Sequence, residues 1–122
     1  MSNPTSGNGK ICYLEIPCSD EEKSSQFYKN IFGWTIRADN AGNVAFDDGV
    51  GQVSGMWVKD RLPANHIGII ISVMVTNIRE TIELIRKNGG AIMKEDIEGA
   101  EKIAWFEDPY GNVLGLYQHV DD

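Results

Sequence analysis

The sequence predicts an α+β protein built from two tandem βαβββ modules, and two observations carry that prediction. The first is an internal repeat. Ala45 to Trp57 reads like Trp105 to Tyr117 at an offset of 60 (Ala45 to Trp105). Leu14, Ile16, Cys18, Asp20, Ser24, Phe27 and Gly33 match Ile71, Val73, Val75, Asn77, Thr81, Leu84 and Gly90 at an offset of 57 (Leu14 to Ile71). The second is the order of periodicities in each copy: one alternating segment, one helical segment closed by glycine, then three extended segments divided by turn residues. A unit of this size cannot bury its own apolar face and must pack against its copy. A cleft between the modules is therefore the expected ligand position.

Each element follows from local chemistry. Ile11 to Pro17 alternates as a strand. Ser19 opens a helix, with Glu22 completing a capping box. Phe27, Tyr28, Ile31 and Phe32 form its buried stripe, and Gly33 supplies the left-handed stop. Trp34 to Arg37 and Val44 to Phe46 are strands around the turn cluster 39–43, and Asp47 to Gly51 turns the chain into the strand Gln52 to Val58. Lys59 to Asn65, with Pro63, is a linker. In the second copy Ile67 to Val75 reads as a buried, partly β-branched strand. Asn77 caps a helix whose Ile78, Ile82 and Ile85 share one face, and Gly89-Gly90 ends it. Ala91 to Lys94, Lys102 to Phe106 and Val113 to Gln118 are the remaining strands, separated by an acidic loop, 95–101, and the tight turn Asp108-Pro109-Tyr110-Gly111. The organisation is a disordered lead-in, 1–9, and one domain, 10–122, comprising module one at 10–58, the linker at 59–65 and module two at 66–119.

Composition limits the function classes. The 122 residues are 42% hydrophobic and 24% charged, with a formal charge of −7. That charge, with no basic stripe, argues against nucleic acid. No apolar run approaches the roughly 20 residues of a membrane helix, and the polar N-terminus lacks a secretory pattern. Cys12 and Cys18 lie about 20 Å apart in extended chain, too far for a disulfide. Reduced thiols and a cytoplasmic location are the expectation, with Cys18 a small core residue.

Three separated segments resemble the vicinal oxygen chelate superfamily: Leu14-Glu15-Ile16-Pro17-Cys18-Ser19-Asp20, Gln26-Phe27-Tyr28-Lys29-Asn30-Ile31-Phe32-Gly33-Trp34, and Asp108-Pro109-Tyr110-Gly111-Asn112-Val113-Leu114-Gly115-Leu116. That group includes glyoxalase I, extradiol dioxygenases and bleomycin and fosfomycin resistance proteins, and the Glu-Ile-Pro and Phe-Gly-Trp forms are similar to its glyoxalase-like branch. The resemblance implies that each module curls into half of an open barrel around a cavity. It implies a homodimer. In metal-dependent members it implies up to four His, Glu or Gln ligands, at positions that fall here on Tyr13 and Gly115. Carrying these through the repeat adds Ile70 and Gly55. Two glycines, a hydrocarbon and a phenol cannot supply the three or four donors that a divalent ion needs, so no metal and no cofactor is expected. His66 and His119 read as rim or solvent-facing residues.

Strand alternation predicts what shares the inner face with those positions: Tyr13 and Glu15; Val53 and Trp57 beside Gly55; Ser72 and Met74 beside Ile70; Val113 and Tyr117 beside Gly115. Trp105 joins the ligand-binding candidates, although alternation leaves its face unassigned. The glycines are expected to leave open volume. Tyr13, Trp57 and Tyr117 suit an aromatic ligand, Met74 also suits packing, and a desolvated Glu15 would suit general acid or base catalysis. Three functions follow. The first is a metal-independent small-molecule-binding protein; the second is a metal-free lyase or isomerase using Glu15; the third is a protein-interaction module with a filled cavity.

Overall fold

The computed structural model describes residues 4–118. The chain divides into two compact units, Met1–Leu62 and Pro63–Asp122, with the division inside the predicted linker. Unit one runs β1 (Tyr13–Pro17), α1 (Glu21–Phe32), β2 (Thr35–Ala38), β3 (Val44–Asp47) and β4 (Ser54–Val58). Unit two runs β5 (Ser72–Met74), α2 (Ile78–Lys87), β6 (Ala91–Asp96), β7 (Lys102–Glu107) and β8 (Val113–Gln118). Each unit is βαβββ, and the protein is α+β. The two sheets have the same topology, β1-β4-β3-β2 and β5-β8-β7-β6, with one parallel pair (β1 with β4, β5 with β8) and antiparallel neighbours elsewhere.

Helix α1 begins one residue later than expected. Asp20, not Ser19, is the N-cap: its carboxylate accepts from the Lys23 backbone N–H, which leaves Glu21 and Glu22 in the first turn. Both carboxylates are favourable there because the helix N-terminus carries partial positive charge. The repeat carried the signal, since Asp20 is level with Asn77, and Asn77 caps α2 in the same way through Glu80 N–H. Gly33 ends α1 at φ +70°, the left-handed stop that glycine tolerates.

The core of unit one is aromatic. Tyr28 of α1 stacks on Trp34 at 4.8 Å, Trp34 stacks on Phe46 at 4.5 Å, and Trp57 lies against Phe46 and Tyr28. Burying each such ring contributes roughly 1.5–3 kcal/mol. In unit two the corresponding layer is mostly aliphatic, with Phe106 as its aromatic member: Ile78, Ile82 and Ile85 of α2 are buried, as are Ala104, Phe106, Leu114 and Leu116 of the sheet. Cys18 is buried and Cys12 exposed.

Several strand ends shift by one or two residues, and two strands differ more from expectation. The apolar run 67–75 is a strand only over Ser72–Met74, and Ile69 is 91% exposed. The reason lies in the β8 donors. Gly115 N–H bonds to the Ile71 carbonyl, but Val113 N–H is taken by Ala64, so the run leaves β8 before Ile71. Conversely β6 extends into the expected acidic loop, reaching Asp96 by pairing with Ile103 across a bulge between Ile92 and Lys94.

Candidate functional site

Each sheet has one face under its helix and one face turned away from it. Register places two rows of side chains across the helix-free face of the first sheet: Arg37–Ala45–Met56–Glu15 and Thr35–Asp47–Ser54–Tyr13. In the second sheet the equivalent row is Lys94–Trp105–Gly115–Ser72, with Ile103, Tyr117 and Met74 in the row beside it. Tyr13, Glu15, Ser72, Met74, Trp105 and Tyr117 therefore all stand on helix-free faces, each in its own unit.

Trp57 and Gly55 do not. Gly55 pairs with Leu14 and Trp57 with Ile16, on the helix side of the sheet, and Trp57 is 1% exposed among the rings under α1. The cause is a single residue. The turn joining β3 to β4 has six residues, 48–53, whereas the one joining β7 to β8 has five, 108–112. The offset between copies is 60 up to the turn and 59 beyond it (Met56 to Gly115), and a one-residue slip moves every side chain of a strand to the other face. The structural counterpart of Gly115 is Met56. The indole N–H of Trp57, moreover, has no hydrogen-bond partner among the described residues.

The expected open volume at the glycines is also absent. A side chain at Gly55 would meet the Leu14 carbonyl oxygen and the Phe46 ring, and one at Gly115 would meet Ser72 Oγ and Ile70 Cγ2. With the register corrected, the four positions that hold metal in metal-dependent relatives by resemblance are Tyr13, Met56, Ile70 and Gly115. A phenol and a thioether are the only donor side chains in that set, and it does not fit a hard divalent ion. Among the described residues no group of three or more His, Cys, Asp or Glu side chains is placed to hold a metal. His66 is exposed; His119 lies outside the described residues.

Ion pairs frame the first face. Glu15 is not desolvated, contrary to expectation: its side chain is 39% exposed and pairs with Arg61 at 2.6 Å. The hydrogen bond and the charge of Glu15 hold the Arg61 guanidinium above its ordinary basicity, with a smaller contribution from Asp60. At the other end Arg37 donates Nε and Nη2 to the two Asp47 oxygens, each at 3.0 Å, and Ser54 Oγ donates to Asp47 at 2.7 Å. The Ser54 hydrogen bond, and then Arg37, hold the Asp47 carboxyl below the usual carboxylate range. A group with a depressed folded pKa stabilises the fold above its unfolded value, about 3.9. The destabilisation caused by Ser54→Ala is therefore expected to be constant at neutral pH and to shrink as pH falls below that value. Urea denaturation at pH 7 and pH 2.5 checks this, and an undiminished effect at low pH would contradict it.

Arg61, Arg37, Asp47, Met56 and Lys94 were not anticipated. Arg37 and Lys94 are level at the offset of 57, so the repeat did contain a paired cation. Arg61 sits in the linker, where periodicity says nothing. Lys94 Nζ lies 4.7 Å from the centre of the Trp105 ring, so the second face is aromatic with a cation resting on it.

Comparison with known proteins fits this geometry. The family described as bleomycin resistance protein-like N-terminal matches residues 10–49. A glyoxylase-like domain-containing protein of Didymella fabae is 28% identical, covering 89% of this chain and 93% of its own length. A glyoxalase/bleomycin resistance protein/dioxygenase superfamily member from Sphaerobacter thermophilus DSM 20745 superposes with TM-score 0.72 at 24% identity, over 90% of this chain and 97% of that one. TnmS3, an antibiotic binding protein from Streptomyces sp. CB03234, superposes with TM-score 0.69 at 22% identity, over 93% and 98%. The fold is that of the glyoxalase/bleomycin resistance/dioxygenase proteins.

Proposed function

We propose that this protein is a metal-independent small-molecule-binding protein of the glyoxalase/bleomycin-resistance type, and that the ligand contacts a helix-free sheet face, through Tyr13 in the first unit or through Ser72, Met74, Trp105 and Tyr117 in the second. The observation that carries the reading is the composition of those faces. Aromatic and sulfur side chains lie beside polar arms, as in small-molecule sites, while the positions level with a metal site hold Tyr13, Met56, Ile70 and Gly115. The likeness to an antibiotic binding protein supports a binding role. Glu15 acts here as a structural partner of Arg61, because an exposed carboxylate held by a guanidinium is poorly placed to deliver or collect a proton. Two copies are expected to associate, since β1 and β5 each end a sheet in the strand order and strands that end sheets tend to pair.

A thermal-shift screen of the full chain against antibiotics and metabolites, with and without chelator, tests the proposal. A ligand bound only by the native state raises the melting temperature. An organic ligand whose shift survives chelator is the expected result. A shift that appears only with added nickel, zinc or manganese would overturn metal independence, and a 13.5 kDa species alone in sedimentation would overturn association.

A further inference from the structure

We infer that the helix-free face of the second sheet is a subsite for a flat aromatic ligand bearing an anionic group, with Trp105 as the stacking surface and Lys94 as the cation that meets the anion. The inference rests on the small-molecule-binding reading above and adds the class of molecule.

The comparison between the two sheets carries it. Arg37 and Lys94 occupy the same place in equivalent rows, at the edge of the face. In the first sheet the cation is spent within the protein, since Arg37 binds both oxygens of Asp47. In the second sheet the residue level with Asp47 is Glu107, at the offset of 60 used above. Lys94 nevertheless forms no ion pair among the described residues, and its ammonium rests on Trp105 instead.

The residue beside each cation changes in step. Ala45 of the first row is replaced by Trp105 in the second, which puts a large π-face where the first sheet has a methyl group. Next to Trp105, Gly115 has no side chain, and Ser72 Oγ lies close over it. The row thus presents, in order, an ammonium with no ion pair among the described residues, an indole and a hydroxyl. An exposed cation–π contact is weaker than a charge-assisted hydrogen bond. An arriving carboxylate or sulfonate can therefore draw the Lys94 ammonium off the ring, and the uncovered indole can then stack on the ligand's aromatic body. A cationic ligand would be repelled by Lys94, and an aliphatic anion would leave the indole uncovered.

The test compares 2-naphthoate with 2-naphthamide, which differ in charge at nearly constant shape, binding to the full chain. The readout is the indole N–H resonance of each tryptophan in a nitrogen–proton correlation spectrum. Trp34 and Trp57 are buried, so their signals report intact folding, while Trp105 reports the subsite. The expected result is a selective shift of Trp105, with 2-naphthoate bound about tenfold more tightly than the amide. Lys94→Gln should abolish that preference and leave amide binding in place, and Trp105→Leu should weaken both. Equal affinities, or a preference that survives Lys94→Gln, would overturn the anionic class while leaving small-molecule binding intact. No movement of Trp105 with either compound would overturn the subsite itself. The thermal-shift screen then decides the broader reading separately.

Discussion

Gly55→Ala is expected to cost about 3 kcal/mol of stability, among the larger effects that adding one methyl group can have. A Cβ at this position would meet the Leu14 backbone carbonyl on one side and Phe46 Cζ and Cε2, at 2.5 and 2.7 Å, on the other. Neither neighbour can yield. Leu14 is held by the β1–β4 pairing, and Phe46 is fully buried between Trp34 and Trp57. Glycine in a strand interior commonly marks such a close approach. Gly115→Ala is the control. Its added methyl would meet Ser72 Oγ and Ile70 Cγ2, side-chain atoms at a sheet edge that can rotate away, and its cost is expected to stay near 1 kcal/mol. Urea denaturation of the two variants measures the contrast. Equal midpoints would show that Gly55 is not on the packed side of its sheet, and the one-residue slip in the β3–β4 turn would then be wrong.

Asp108→Ala is expected to cost roughly 3–5 kcal/mol, because buried polar groups left without partners are expensive. Asp108 is 3% exposed, and its Oδ1 accepts from the backbone N–H groups of Tyr110, Gly111 and Asn112, each at 3.0 Å. Its Oδ2 accepts from Asn112 Nδ2 at 2.9 Å, and Asn112 Oδ1 in turn accepts from Ala64 N–H at 2.7 Å. One carboxylate thus shapes the turn between β7 and β8 and, through Asn112, ties down the segment that enters unit two. Asp108→Asn keeps an acceptor for the backbone donors and sets two amide groups against each other at Asn112; about half the alanine cost is expected. A melting temperature for Asp108→Ala close to that of the parent would refute the role. The first module uses a smaller version of the device, in which Asp48 Oδ1 accepts from Gln52 and Val53 N–H. That difference accompanies the extra residue in its turn.

Several features of this protein were legible without coordinates. The βαβββ order, the repeat, both helices and the glycine stop at Gly33 depend on short-range chemistry: alternation, caps and left-handed backbone. Adjacent residues report these directly. Which residues share a face within one strand, Tyr13 with Glu15 and Ser72 with Met74, was legible too, because alternation within one strand carries no accumulated error. Three matters depended on the folded chain. Which face Gly55 and Trp57 occupy was decided by a six-residue turn in place of a five-residue one, a difference that a gapless repeat conceals. Where β5 starts was decided by competition for the Val113 N–H, which Ala64 wins. The setting of Glu15 was decided by Arg61, distant in sequence and supplied by the linker. Periodicity tells a side chain which way it points relative to its own strand. Register, competition for donors and long-range ion pairs are relations between strands, and they exist only once the chain has closed on itself.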